Sequence, residues 1–348
     1  MHSRRFQPTP KQLLRWLITS TAVVFIGCQF SAQHTLVSEQ VDADAWIPKR
    51  PDYVWMILLL MPMNWGIEVV KWHGLMREHQ SDWRKALRQV LAGTALGFIT
   101  PNRTGEAVAR VGLLPASLRA SGARAFVWGA WAQAGITLTI GWGAVAIMLY
   151  RLQMTTGHAE PSPFVPNGVH SLFLQHPGIL NLTWKLWGIS TAMVLGWWWL
   201  GNEKISRFVS TVAQRFASKF SLHWQERIEQ FHSPIPVQTR CMLAGWSVLR
   251  YGIFTTQFVL ALMAWGLEGN WNLINSVMLV FLGNMLIPSA ALAELGVREA
   301  LILAIYDPAA EWMAPAVLAT FVLWTINLMI PAMAGGILEL FPLKTRES

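Results

Sequence analysis

The feature that most constrains this chain is a set of long apolar runs that are nearly free of charge. A helix needs roughly 20 apolar residues to cross the hydrocarbon layer, and charged residues make up only 13% of the chain, against about 25% in ordinary soluble domains. The runs therefore predict several membrane-spanning helices instead of one large soluble core. The six runs are Leu13–Phe30, Tyr53–Val70, Val127–Tyr150, Trp184–Leu200, Met242–Trp265 and Met313–Leu338.

The connections between these runs alternate in charge. Residues 1–15 hold four basic residues and no acid, 34–52 hold two bases against four acids, and 201–240 hold six bases against three acids. Basic connections stay on the cytoplasmic side of a membrane. The alternation predicts a multi-pass protein of the bacterial inner membrane with both termini cytoplasmic.

Two further apolar stretches are interrupted and fit the alternation poorly as full spans. The first, Ala86–Leu114, is broken between Pro101 and Glu106; the second, Ser276–Tyr306, is broken at Pro288 and again between Glu294 and Glu299. Each half is too short to cross the hydrocarbon. We therefore expect two re-entrant helical hairpins that enter from opposite sides, as a possible inverted repeat, and such interrupted segments are typical of transporter binding sites.

These patterns together predict an all-α polytopic membrane protein with about six full spans and two opposed re-entrant hairpins. Residues 1–348 are interpreted as a single integral membrane domain. Within it, residues 204–231 place apolar side chains at helical spacing with basic residues around them. That pattern indicates an amphipathic helix on the cytoplasmic membrane surface.

The sequence offers little for catalysis, cofactors or metals. It contains no Walker loop, GxSxG elbow or HExxH motif, its two cysteines are separated as Cys28 and Cys241, and its nine histidines are scattered. We expect no metal site, no cofactor and no enzymatic activity. The net charge of +8 lies in connections between spans and predicts no nucleic-acid partner.

Polar and charged residues inside the interrupted stretches and spans are the candidate substrate-binding residues. A charge in the bilayer costs about 2.5–3.5 kcal/mol on insertion scales, so it is usually paired or functional. Broken helices also expose N–H groups that suit a phosphate, and arginine matches its oxygens with a planar fork. The candidates are Asn102, Arg103, Glu106, Arg110, Arg250, Glu294, Arg298 and Glu299.

A purely structural role is open for several of these charges. Glu106 and Arg110 are four residues apart on one helix, as are Glu294 and Arg298, and either pair could be an ion pair along its own helix. Glu68 and Lys71 lie near the predicted cytoplasmic end of a span. There a lysine can extend to the headgroups, which favours a solvated position for both.

Four blocks of the sequence resemble a known family. They are Asn64–Trp72 (NWGIEVVKW), Leu91–Glu106 (LAGTALGFITPNRTGE), Leu249–Tyr251, and Pro288 with Glu294–Glu299 (ELGVRE). In this order they resemble the lysylphosphatidylglycerol synthase transmembrane region, also called the flippase-like domain family, and they cover most of the chain.

The resemblance implies transbilayer movement of a lipid. The family is similar to the half of multiple peptide resistance factors that moves aminoacylated phosphatidylglycerol between leaflets, and stand-alone members are linked to hopanoids and polyprenyl carriers. The 348 residues hold no soluble aminoacyl-transferase domain, so synthase activity is not expected. We therefore expect a flippase for a phospholipid or polyprenyl-linked lipid, with a separate synthase as a possible partner. The alternatives are an enzyme subunit that modifies lipid headgroups and a scaffold for a partner synthase.

Overall fold

The fold is helical throughout the residues that the computed structural model describes. The described ranges are 43–78, 82–100, 103–155, 236–287, 293–306 and 310–340, together with a few isolated positions between 24 and 35 and between 181 and 192. The runs predicted at Leu13–Phe30 and Trp184–Leu200, and the amphipathic helix predicted at 204–231, lie outside them.

Nine α-helices make up the described part of the chain. A short 3₁₀ turn, Ala43–Trp46, precedes the first of them, and a second one, Ala116–Leu118, leads into α4. The helices are α1 (Pro51–Met76), α2 (Trp83–Phe98), α3 (Thr104–Gly112), α4 (Arg119–Thr155), α5 (Val237–Ala264), α6 (Trp271–Leu286), α7 (Ala293–Tyr306), α8 (Ala310–Trp324) and α9 (Ile330–Leu340).

Four of the helical segments are long and apolar enough to cross a membrane. Within the described residues they correspond to four of the six predicted spans, and their length and composition support a membrane protein. The helices extend beyond the predicted runs, because the polar residues at their ends also adopt helical geometry. The four segments are Pro51–Met76, Ala116–Arg151, Val237–Ala264 and Ala314–Glu339.

The first interrupted stretch folds as two helices, α2 and α3, which pack side by side and are called here the first broken pair. Helix α2 begins at Trp83, three residues earlier than predicted, because the Asp82 side chain caps it by accepting a hydrogen bond of 2.9 Å from the Arg84 N–H. At the break, the Thr100 hydroxyl donates to the Leu96 carbonyl and accepts from the Gly105 N–H, at 3.0 and 2.8 Å. The hydroxyl thus joins the end of one helix to the start of the next.

The second interrupted stretch folds as α6 and α7, which also contact each other and are called here the second broken pair. Its first helix begins at Trp271, five residues before the predicted start at Ser276. The Asn270 side chain accepts hydrogen bonds from the N–H groups of Asn272 and Leu273, at 3.0 and 2.9 Å. This N-cap fixes the start of the helix, which a hydrophobicity pattern alone does not reveal.

The long helices and the two broken pairs pack in an ordered way. Helix α1 lies against α5, the first broken pair lies against α1 and α9, and the second lies against α4, α5 and α8. The largest apolar clusters lie where α5 meets α8 and α1, with Phe258, Leu262 and Trp324 fully or almost fully buried. Each broken pair is therefore packed against long helices, the first against α1 and the second against α4 and α5.

A wider helical turn joins α8 to α9. Residues Thr325–Met329 form a π-helical turn in which the Ile330 N–H bonds to the carbonyl of Thr325. Pro331 follows directly and has no N–H to donate to the carbonyl of Asn327. The missing donor accounts for the local change of hydrogen-bond pattern, and such turns often occur at functional sites.

Candidate functional site

The centre of the described structure holds a carboxylate that three basic side chains surround. The Glu68 carboxylate, on α1, accepts a hydrogen bond of 2.9 Å from Arg110 of α3 and lies 3.1 Å from Arg250 of α5. Lys71, one turn along α1, lies 3.5 Å from it. Glu68 therefore links three helices through ion pairs, in a position where water screens them little.

The first broken pair adds two further charged side chains to this cluster. Arg110 also pairs with Glu106 along α3, and Glu106 lies 3.4 Å from Arg103 at the break. The intrahelical pair predicted for Glu106 and Arg110 is therefore present, but Arg110 bridges two carboxylates instead of one. A Cβ atom at Gly93 would lie 2.8 Å from the Arg110 Cγ atom, so only glycine leaves room there for the arginine stem.

A chain of amides continues the cluster toward the π-helical turn. Arg250 donates to the Asn64 side-chain oxygen at 3.0 Å, and the Asn64 amide donates to Asn327 at 3.1 Å. Asn64 is fully buried and Asn327 is almost so. The polar network thus runs from the break in the first broken pair, through α1 and α5, to the π-helical turn.

Lys71 is buried inside the helix bundle. Its side chain is 2% exposed, and its amine lies 3.5 Å from the Gly129 carbonyl and 3.4 Å from the Gln133 side-chain oxygen, both on α4. The prediction that Lys71 and Glu68 are solvated at the end of a span is therefore wrong. The helix continues to Met76 and turns this face toward α4 and α5, so that both side chains point into the protein.

Arg103 has an unusual backbone conformation. Its φ and ψ of 55° and 26° are left-handed, and among the described residues other than glycine it alone has a positive φ. For a residue with a Cβ this conformation costs about 1–2 kcal/mol. Strained backbone of this kind often accompanies a functional position, and here it turns the chain from α2 into α3.

A cavity of about 620 Å³ opens beside the ionic cluster. Five basic side chains and two carboxylates line it, and both broken pairs contribute to its wall. Apolar side chains from α4, α5 and α6 also line it. The charged residues are Lys71, Arg103, Arg110, Arg250 and Arg298 with Glu68 and Glu106, and the apolar part includes Phe126, Ala130, Phe254, Phe281 and Met285.

Aromatic rings hold the two most enclosed arginines in place. The Arg110 guanidinium lies 5.5 Å from the Trp72 ring and 5.7 Å from the Phe126 ring. The Arg250 guanidinium lies 5.8 Å from the Trp65 ring and 5.3 Å from the Phe254 ring. These distances allow cation–π attraction, which supports the arginines without neutralising their charge.

The predicted site residues divide into two groups. Five of them lie together in the cavity wall: Arg103, Glu106, Arg110, Arg250 and Arg298. Glu299 lies on α7 outside the described wall, and both Asn102 and the Glu294 side chain fall outside the described residues. The sequence interpretation missed Lys71, Gln133 and Asn284 as wall residues. The spacing Asn64–Glu68–Lys71 was the available signal for α1, because it places three polar groups on one helical face.

Comparison with known proteins gives no further assignment. The chain matches no family model, no curated protein and no solved structure. The chemistry of the cavity therefore has to be inferred from the side chains that line it.

Proposed function

We propose that the protein moves a lipid with an anionic phosphate headgroup between the leaflets of the bilayer, and that the headgroup occupies the central cavity. The observation that carries the proposal is the excess of basic over acidic side chains in the ionic cluster beside the cavity, where Lys71, Arg103, Arg110 and Arg250 contact only two carboxylates, Glu68 and Glu106. Uncompensated charge inside a membrane protein is costly. A bound anion would supply the missing negative charge.

The shape of the basic groups favours a phosphate. Three of the four are arginines, whose planar guanidinium groups form paired hydrogen bonds with phosphate oxygens. Arg110 and Arg250 are held by Glu68 and by aromatic rings, so little ordering is required when a ligand arrives.

The other half of the wall favours a lipid over a small soluble anion. Phe126, Phe254, Phe281 and Met285 add an apolar surface to the same wall. A cavity of about 620 Å³ lies within the range of roughly 300–1,000 Å³ that holds small-molecule ligands. It has room for a headgroup and the start of its acyl chains, while the remaining chain length would extend along the helix surfaces.

The two broken pairs supply the geometry for exchange between leaflets. Each consists of helices of 16 residues or fewer, too short to span the hydrocarbon, and we interpret them as re-entrant hairpins that enter from opposite sides. Both pairs border the same cavity, so movement of either one could open it to one leaflet. The protein would lie in a bacterial inner membrane with both termini cytoplasmic, as the charge alternation predicts.

Leaflet transfer in reconstituted vesicles tests the proposal. Vesicles containing the protein and a trace of fluorescent phosphatidylglycerol are treated with an impermeant quencher, which removes the signal of the outer leaflet. We expect the protein to make the inner-leaflet lipid accessible as well, and Arg250→Gln to slow this by at least about ten-fold, because hydrogen bonds to charged groups contribute about 1.5–3 kcal/mol. Arg50→Gln is the matched control, since Arg50 is exposed, pairs with Asp52 near the start of α1 and lies outside the described cavity wall.

Two outcomes would replace the proposal. A chemically altered lipid recovered from the vesicles would indicate a headgroup-modifying enzyme. Absence of transfer by the well-folded protein, with Arg250→Gln tolerated in cells, would indicate a scaffold for another protein.

A further inference from the structure

We infer that the cavity selects a headgroup ending in a phosphate monoester, with two negative charges, over headgroups with a single negative charge or with an added ammonium group. The inference rests on the proposed function and specifies its substrate class. It is carried by the balance of charge in the ionic network and by the engagement of both carboxylates.

The ionic network has two more positive than negative charges. Lys71, Arg110 and Arg250 contact Glu68, while Arg103 and Arg110 contact Glu106. These four basic and two acidic groups, counted with their ordinary charges, leave two positive charges without a counter-charge in the network. Arg298 also lines the cavity and is not needed for this balance. A phosphate monoester carries about −1.5 to −2 at neutral pH, which matches the excess.

The described wall offers no free group for an ammonium. Glu68 is contacted by three cations and Glu106 by two. The ammonium of a zwitterionic headgroup would have to displace an arginine from one of them, in a cluster that already holds an excess of positive charge.

Aromatic rings beside the ionic network, which could otherwise bind a quaternary ammonium, already contact arginines of the protein. The rings of Trp72 and Phe126 face Arg110, and those of Trp65 and Phe254 face Arg250. Three of the five aromatic side chains in the described wall, Trp72, Phe126 and Phe254, are therefore already engaged by guanidinium groups of the protein itself, which disfavours a choline there.

Arg103 is the basic group that can turn to a ligand most easily. Its side chain is 33% exposed, against 3% for Arg110 and 13% for Arg250, and its contact with Glu106 is long at 3.4 Å. Removal of this one charge should therefore reduce the preference for a dianion while leaving the enclosed part of the network intact.

Competition binding to the full-length protein in detergent tests the inference. Radiolabelled short-chain phosphatidic acid is displaced by unlabelled phosphatidic acid, phosphatidylglycerol or phosphatidylcholine with the same acyl chains. We expect phosphatidic acid to bind at least about ten-fold more tightly than phosphatidylglycerol, because only the monoester has a second negative charge to pair with the remaining positive charge of the cluster, and phosphatidylcholine to compete least. Equal affinity for the three lipids would overturn the inference.

The substitution Arg103→Asn sharpens the test. Asparagine tolerates the left-handed backbone, so the turn is kept while the charge is lost. We expect phosphatidylglycerol binding to persist, which shows that the variant is folded, while the preference for phosphatidic acid falls to a few-fold or less. An unchanged preference would contradict the inference, and Arg50→Asn, outside the cavity, is the control that should leave it unchanged.

Two further arms separate this inference from the proposed function. Inorganic phosphate that competes as well as phosphatidic acid would support the charge-matched site but assign it to soluble phosphate esters, and the lipid-transfer proposal would fail. Transfer of phosphatidylglycerol and phosphatidic acid in vesicles at equal rates, with equal affinities, would keep the transfer proposal and overturn the charge selection.

Discussion

The two broken helix pairs reach the same cavity but are built differently. The first carries three of the charged wall residues, Arg103, Glu106 and Arg110, and ties them to Glu68 on α1. The second contributes Arg298 to the charged wall, and its α6 packs through Phe281 against the rings of Tyr251, Phe254 and Phe258 on α5.

The difference concerns how each pair can move. Ion pairs and close backbone contacts are directional and are lost when helices slide, whereas apolar ring contacts vary smoothly with position. We therefore expect the first broken pair to be the fixed wall that holds the headgroup, and the second to be the wall that moves during transport.

The largest loss of stability is expected when Glu68, the carboxylate that holds the first broken pair to α1, is neutralised. Glu68→Gln leaves Arg110, Arg250 and Lys71 with one fewer counter-charge, and loss of one partner of a buried pair costs about 3–5 kcal/mol. We expect a marked fall in the thermal unfolding temperature of the purified protein.

Glu299→Gln on α7 is the comparison variant for this test. Glu299 lies outside the described cavity wall, and its neutralisation should change the unfolding temperature little. Equal effects of the two substitutions would contradict the distinction between a fixed and a movable wall.

The second largest change in stability is expected when the glycines that follow the two breaks are replaced by alanine. A Cβ at Gly105 would lie 2.5 Å from the Leu96 carbonyl oxygen, whereas a Cβ at Gly296 would meet no atom within 4 Å among the described residues beyond its chain neighbours and its own helix backbone. Gly105→Ala should destabilise the protein by about 1–3 kcal/mol through overpacking, and Gly296→Ala should be neutral or stabilising by up to about 1 kcal/mol, since alanine favours helix. Unfolding curves of the two variants check this, and a stable Gly105→Ala protein would show that the first break is not close-packed.

Two conservative arginine-to-lysine substitutions should have the smallest effect on stability. Their effect on leaflet transfer distinguishes the two broken pairs. Arg103→Lys and Arg298→Lys keep the charge but lose the two-pronged hydrogen-bonding geometry. If the first pair holds the phosphate, Arg103→Lys should slow leaflet transfer about ten-fold, while Arg298→Lys should slow it less. Wild-type rates in both variants, at matched insertion, would remove the arginine clamp and leave these residues structural.

Hydrophobicity and helix breakers were sufficient to predict much of the fold. The apolar runs at Tyr53–Val70 and Met242–Trp265 became α1 and α5, and both interrupted stretches became helix pairs. The starts of α2 and α6 were displaced because they depend on the caps Asp82 and Asn270, and a cap is a local hydrogen bond that carries no hydrophobic signal.

The candidate site was predictable where a charge interrupts an apolar run, as at Arg250. It was not predictable where a charge lies near the end of a run, because the same residue can extend to water or face the protein. Lys71 faces the protein because Gly129 and Gln133 on α4 lie within reach of its amine. Only the packing of α1 against α4 determines this position.

The π-helical turn at Thr325–Met329 also sets the direction in which the last helix faces. Each residue of an α-helix turns by about 100°, so the extra residue in a π turn rotates everything after it by roughly that angle. Downstream, Gly335 lies against the Leu91 carbonyl so closely that a Cβ would overlap it, and Glu339 accepts paired hydrogen bonds of 2.6 and 3.1 Å from Arg88. A regular α-helix through this region would rotate both residues by roughly 100° out of these contacts, so the wide turn sets the rotation at which the C-terminal helix attaches to the first broken pair.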